Sequence, residues 1–183
     1  MGLNLKSLNI YPDLKFRLAT IEDAEFICNI RNHKYKSRHL NDIGNSVEKQ
    51  VNWLKKYKER EYQGKEYYFV IEDENCTARG LLRIYNIEDE SATVGSWIFE
   101  DDAPHKMAIR AELMIKNFAF TELGKKSLYF DTRIKNKPIY TYLLLQNSTL
   151  LNKDELNYYF RLDYDDFKKG IEKVKRIMQI DRL

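Results

Sequence analysis

Residues 95–124 read GSWIFEDDAPHKMAIRAELMIKNFAFTELG. A β-branched and aromatic run, Ser96 to Phe99, meets an acidic corner containing Pro104, and a helical pattern follows over 105–123. In that pattern Met107, Ile109, Leu113, Met114, Ile115, Phe118, Phe120 and Leu123 cover more than one stripe, so the helix is expected to be buried on most sides. Gly124 stands where a helix stop belongs. A strand feeding a helix whose first amides lack intrahelical partners is the layout of an anion-binding turn. Yet no glycine stands between Glu100 and Ile109.

Working outward, SLYFDTRI (127–134) reads as a strand, so the β-α-β piece should cross over right-handed and leave its two strands parallel. Upstream, EYYFVIE (66–72), ARGLLRIYNI (78–87) and ATVGSWIFE (92–100) are joined by short polar links and predict an antiparallel meander. KFRL (15–18) opens the pattern as a short strand. Thr20 caps a helix over 21–32 with Glu22 and Asp23 in its first turn, and Ser46 caps a second helix, VEKQVNWLKKYKERE. Downstream, KNKPIYTYLLLQNS reads as a short helix entered through Pro138, and ELNYYFRLDY (155–164) as a last strand. The tail DDFKKGIEKVKRIMQ predicts an amphipathic helix, about 165–180, with an interruption at Gly170. The expected order is βααβββαβαβα, in one domain spanning 1–183.

The 183 residues are 43% hydrophobic and 32% charged, which is globular composition. A net charge of +3 argues against nucleic acid as a partner. WLKKYKERE is basic, but Glu59 and Glu61 dilute it, and it reads as the wet face of a helix. Thirteen tyrosines suit both a core and polar pockets. Two cysteines, Cys28 and Cys76, make no zinc site alone, and no metal is expected. MGLNLKSL lacks an apolar signal region, Lys6 spoils a myristoylation reading, and no segment has the length of a membrane span. A cytoplasmic protein without membrane insertion is the expectation.

With this element order the chain resembles the GNAT acyltransferases, the acetyl-CoA-dependent N-acetyltransferases, over nearly its whole length. FRLATIEDAEFICNIRN is similar to the opening strand and helix of the branch that acetylates ribosomal-protein N-termini and amino sugars. GSWIF resembles that branch's fourth strand, and NFAFTELGKKSLYFDTRIKN its third helix, fifth strand and following Asn. EYYFVI, RIYNI, GSWIF and DELNYYFRL are most similar to acyltransferases of nucleotide-linked amino sugars for surface polysaccharide. The resemblance implies an α/β (α+β) fold: a GNAT-like mixed, mostly antiparallel twisted sheet with helices on both faces, strands four and five parallel and splayed. It implies acetyl-CoA as cofactor. The pantetheine arm would lie along Trp97, Ile98, Phe99 and Glu100, the pyrophosphate on amides at Lys106, Met107, Ala108 and Ile109, with Asn136 and Tyr140 nearby.

The family's Q/R-x-x-G-x-G/A loop falls on Ala103-Pro104-His105-Lys106-Met107-Ala108, where only Ala108 fits. Any residue but proline supplies an amide, and glycine is needed only for positive φ or very close backbone approach. An ordinary helix start would carry the same residues without a ligand. Relatives place a thiolate-protonating tyrosine seven residues after the Asn; here that position is Leu143, with Tyr142 one place early and Tyr140 nearly a turn before. Packing is the plainer reading of Tyr142. Asn147-Ser148 replaces the usual Gly-Phe, and Asn can take a left-handed conformation. Thr93 stands where relatives often carry a glutamate base, leaving Glu90, Glu100 and His105 as candidates, although Glu88-Asp89-Glu90 also reads as a solvated turn.

The acceptor is sought at Arg31, Asn32 and His33 after the first helix and at Arg83 and Tyr85 on the third strand. The basic loop HKYKSRHLND would suit a nucleotide diphosphate or stand as a plain polar loop. The expected function is acyl transfer to a small-molecule amine on a nucleotide-linked amino sugar, by direct attack in a ternary complex. A non-catalytic GNAT-shaped binding protein and a protein N-terminal acetyltransferase are the alternatives. A homodimer stays open.

Overall fold

A computed structural model describes residues 3–33, 46–104 and 106–180. Its strands are β1 Lys15–Leu18, β2 Tyr67–Glu72, β3 Ala78–Tyr85, β4 Ser91–Phe99, β5 Ser127–Arg133, β6 Thr149–Lys153 and β7 Asn157–Asp163. Its helices are α1 Ala24–Asn32, α2 Val47–Tyr62, α3 Met107–Thr121, α4 Lys137–Leu145 and α5 Tyr164–Met178. The strands form one sheet in the order β1-β2-β3-β4-β5-β7-β6. Only β4 and β5 run parallel; all other neighbours are antiparallel.

Each face of the sheet buries its own core, as period-two alternation requires. Phe69, Ile71, Leu82 and Ile84 point to α3, whose Ala111, Leu113, Ile115 and Phe118 meet them. Tyr68, Val70 and Leu81 point the other way, onto Ile27 and Ile30 of α1 and Leu54 and Tyr57 of α2. Ser46 caps α2 through a bond from the Lys49 amide (3.2 Å). At the other helix entry the Thr20 amide donates to the Asp23 carboxylate (2.7 Å), which Arg17 also grips with two guanidinium nitrogens. Burial pushes that carboxyl up, but Arg17 and the Thr20 amide hold it below the usual carboxylate range.

The meander, the parallel crossover and the helices on both faces follow the pattern expected from the sequence. Gly124 ends α3 at φ +65° and Asn147 takes φ +63° after α4, both left-handed. Two expectations need correction. A seventh strand, β6, lies at the sheet edge beside β7. Its five residues are all exposed, so no buried alternation marked TLLNK in the sequence. And α5 is unbroken through Gly170. This glycine serves packing: an added Cβ would lie 2.2 Å from the Gln146 carbonyl oxygen at the end of α4.

Alanine normally stabilises a helix interior relative to glycine by about 0.5–1 kcal/mol. The contact reverses that sign here. Gly170→Ala should lower unfolding stability by about 1–3 kcal/mol, measured by urea denaturation; a stabilised variant would show that α4 and α5 do not meet this closely.

Candidate active site

Strands β4 and β5 pair only at Ser91↔Ser127, Ala92↔Leu128 and Thr93↔Tyr129, then part. The cause lies in β4. Leu81 pairs with Ile98 but Arg83 with Gly95, so two residues of β4, Ser96 and Trp97, oppose Leu82 alone. Ser96 takes the bulge at φ +55°. The extra residue inverts the alternation of the strand. Ala92 and Val94 face the α3 core before it; Trp97 and Phe99 pack on that same core after it, while Ile98 turns to α1 and α2. Arg31 of α1 donates to the Ser96 hydroxyl (3.2 Å), tying the bulge to the first helix.

The parting leaves a cleft of about 380 Å³. Its walls are β4 from Val94 to Phe99 and Phe130, Asp131 and Thr132 of β5. Asn136, Ile139 and Leu143 close one side, and Ala108 and Glu112 of α3 form the floor. Beyond Thr93 the backbone of β4 has no β5 partner in register, so its polar groups on that side face the cleft.

Helix α3 starts at the same cleft. Lys106 is its N-cap at φ +65°, and no side chain caps it. The Met107 amide turns back to the Pro104 carbonyl (3.0 Å), and the first regular helical bond comes from Arg110 to Lys106 (2.9 Å). Between them, the Ala108 amide makes no bond to the Pro104 carbonyl, the acceptor a regular helix would give it, and the helical acceptor of the Ile109 amide belongs to residue 105, outside the described residues. The uncapped first turn and the positive end of the helix dipole favour an anion at this end of the cleft. The position where the family pattern has its first glycine is left-handed after all, and Lys106 holds it. Its ammonium reaches the Gln179 carbonyl (2.8 Å), anchoring the corner to the end of α5.

Below the cleft lies a buried polar cluster. Lys116 is 0% exposed and Glu112 3%. Their ion pair spans one turn of α3, and Lys116 also donates to Gln146 and sits 4.2 Å over the Phe130 ring. Glu112 accepts further bonds from the Tyr142 hydroxyl (2.8 Å) and the Gln146 amide (3.0 Å). Burial pulls the Lys116 ammonium down, with Glu112 opposing. Burial and the neighbouring carboxylate push the Tyr142 phenol well up. Tyr142 also packs at 5.4 Å against Trp97. The signal for this cluster was a Glu–Lys pair at i,i+4 within a helix expected to be buried on most sides.

The candidate residues disperse. Trp97, Ile98, Phe99, Ala108 and Asn136 line the cleft. Leu143 lines it too, while the Tyr140 ring packs on Tyr158 (4.6 Å) and Phe160 (5.6 Å). Glu100 follows β4 with its amide on the Arg79 carbonyl (2.8 Å). Glu90 sits at the opposite end of β4, exposed and paired with Lys126. Met107 is buried in the core, and Ile109 packs against it. His105 and the loop 34–45 lie outside the described residues. Asn32 and His33 end α1. Arg83 bonds the buried Glu66 (2.5 Å), which also holds Arg60 (2.6 Å). Its guanidinium stacks between Trp53 (5.2 Å) and Tyr85 (4.5 Å). One carboxylate thus holds two guanidiniums, and Arg83 supports the Tyr85 ring.

No group of three or more His, Cys, Asp or Glu is placed to hold a metal among the described residues. No described helix is long and apolar enough to cross a membrane.

A parallel pair splayed by a bulge, with an uncapped helix start beside it, defines a fold built to bind a ligand between two strands. The acetyltransferase (GNAT) domain model matches residues 13–141. The chain belongs to the GNAT acetyltransferases, which transfer an acyl group from acyl-CoA to an amine. No curated protein matches at the sequence level. Among solved structures, apo FdhC, described as a nucleotide-linked sugar GNAT, is 25% identical with a TM-score of 0.78, covering 97% of this chain and 99% of that one. RimJ of Mycobacterium smegmatis, in complex with CoA-disulfide, is 16% identical with a TM-score of 0.73, over 90% of this chain and 88% of its own. The ribosomal-protein-S5-alanine acetyltransferase of Vibrio fischeri is 16% identical, TM-score 0.72, over 86% and 96%.

Two expected outcomes follow from this geometry. Lys106→Gly should be more stable than Lys106→Ala by about 1 kcal/mol, since both lose the side chain and only alanine strains at φ +65°; equal denaturation midpoints would refute the left-handed cap. Glu112→Leu strands a buried ammonium and should cost about 3 kcal/mol, whereas Glu112→Leu with Lys116→Leu should lose less than Glu112→Leu alone. Additive losses in the double-mutant cycle would contradict a coupled pair.

Proposed function

We propose that this protein transfers an acetyl group from acetyl-CoA to the amine of a nucleotide-linked amino sugar. The observation that carries the cofactor half is the meeting, at one cleft, of the open β4 edge and the uncapped start of α3. The amides of Ala108 and Ile109 would hold the pyrophosphate with the α3 dipole behind them, and the backbone of Trp97 to Phe99 would hydrogen-bond the amide-bearing arm. A β4 amide facing the cleft would stabilise the oxyanion that forms when the amine attacks the thioester. The Lys106 ammonium adds positive charge at the same corner.

The acceptor half rests on likeness over the full chain to a protein described as acting on nucleotide-linked sugars, at higher identity than the ribosomal-protein relatives. The acceptor would enter from the α1–α2 side, past Arg31, Tyr85 and the Trp53–Arg83 stack. Flat, hydrogen-bonding aromatic walls suit a sugar or base ring. The same entrance is where Asn32 and His33 end α1. A cytoplasmic location, one domain over the chain and surface-polysaccharide synthesis complete the reading.

Calorimetry should show CoA and acetyl-CoA binding, and thiol release should be seen with a panel of nucleotide-linked amino sugars. The kcat/KM for the best sugar should exceed that for spermidine or an N-terminal peptide by at least about tenfold, worth about 1.4 kcal/mol. A peptide or polyamine preference would overturn the acceptor, and absence of CoA binding the whole reading.

A further inference from the structure

Among the described residues, Asp101, Glu112 and Asp131 are the carboxylates that line the cleft. They differ in what already holds them. Both oxygens of Glu112 are taken by Lys116, Tyr142 and Gln146. Asp101 belongs to the turn that leads to α3, the end of the cleft where an anion is favoured. Asp131 is different. The residue reaches solvent at the cleft mouth while its carboxyl is partly enclosed, and no other side chain bonds that carboxylate among the described residues.

Its place follows from register. Thr93 and Tyr129 are the last β4–β5 pair, so they share a face. Two residues further along each strand come Gly95 and Asp131, on that same face but across the opened gap. Gly95 has no side chain to fill the space. A Cβ there would stand 3.2 Å from Cε1 and 3.3 Å from the hydroxyl of Tyr85, so the Tyr85 ring lies over the bare glycine. Asp131 therefore looks across the cleft mouth towards Tyr85, on the acceptor side and opposite the exposed β4 backbone.

We infer that Asp131 is the general base of the transfer, accepting a proton from the acceptor's ammonium as it docks between Asp131 and Tyr85. This rests on the proposed acyl transfer to an amine. The ammonium gives one proton to the Asp131 carboxylate, and the freed lone pair forms the C–N bond at the thioester carbonyl. The C–S bond breaks, the amine's second proton goes to the departing thiolate, and Asp131 returns its proton to solvent.

The surroundings suit the role. Burial raises the Asp131 carboxyl above the ordinary range; Arg133, two residues on, opposes this, and Asp154 reinforces it. Tyr159 pairs with Asp131 from β7, and Arg161 with Tyr129. Burial and Asp131 together raise the Tyr85 phenol, which keeps it a neutral donor. A carboxylate raised in this way holds a proton better than a free one, which suits a group that accepts a proton from an ammonium.

The test is Asp131→Asn with the wild type and Asp131→Glu alongside. With the best acceptor, kcat for Asp131→Asn should fall about 10²–10⁴-fold, while CoA affinity stays within about threefold. In wild type kcat should rise with pH through the Asp131 carboxyl. That acid limb should vanish in Asp131→Asn and return in Asp131→Glu. A kcat for Asp131→Asn within about threefold of wild type, or an unchanged limb, would overturn the inference alone. Loss of CoA binding in a folded Asp131→Asn would also overturn it, as a structural role. A wild type that binds CoA but acylates no amine would overturn the proposed function and this inference together.

Discussion

One extra residue in β4 is what the rest depends on. A parallel pair of central strands would ordinarily stay hydrogen-bonded along its length. Here the bulge at Ser96 turns β4 towards β3 and away from β5 after three paired residues. Unpaired backbone polar groups inside a protein cost free energy unless something meets them. The fold tolerates them because the gap reaches solvent. The bulge also re-aims Trp97 and Phe99 onto the α3 core. One backbone irregularity thereby creates the opening and seals its lower wall.

The two ends of the cleft are built differently. At the α3 end, positive potential comes from the uncapped helix start and from the Lys106 ammonium, which bonds the Gln179 carbonyl. At the opposite face the charges are on side chains: Arg83 and Arg60 share Glu66, and Arg31 bonds the bulge hydroxyl. The Arg83 guanidinium, stacked between Trp53 and Tyr85, makes this a rigid surface. Between them sits the Glu112–Lys116 pair, charged yet almost wholly satisfied, which joins α3 to α4 beneath the ligand space. Such a pair adds little net stability against apolar packing, but it fixes where Tyr142 and Trp97 stand.

Much of this was legible in the chain. Turn residues and periodicity marked every helix and six of the seven strands, and the crossover rule supplied the parallel pair. The exception, β6, is an exposed edge whose pairing is dictated by β7, so its own pattern carries no burial signal. Gly170 looked like a break because a helix seldom gains from glycine; its reason is a neighbour 24 positions away, the carbonyl of Gln146. The site was less legible. Trp97, Ile98, Phe99, Ala108 and Asn136 line the cleft. Tyr140 instead packs on β7, because the face a short helix buries is set by what lies beneath it. Asp131 and Glu112 were not singled out.

The sequence by itself determined the order of elements, the two apolar faces of the sheet and the helix that starts beside β4. These depend on local propensity and on spacing along one strand or helix, which a linear pattern records. Tertiary structure alone decided the bulge, the left-handed cap at Lys106, the buried ion pair and the carboxylate opposite Tyr85. Each depends on which atoms meet across strands distant in the chain: one residue of register decides which face a side chain takes, and no local pattern carries that register.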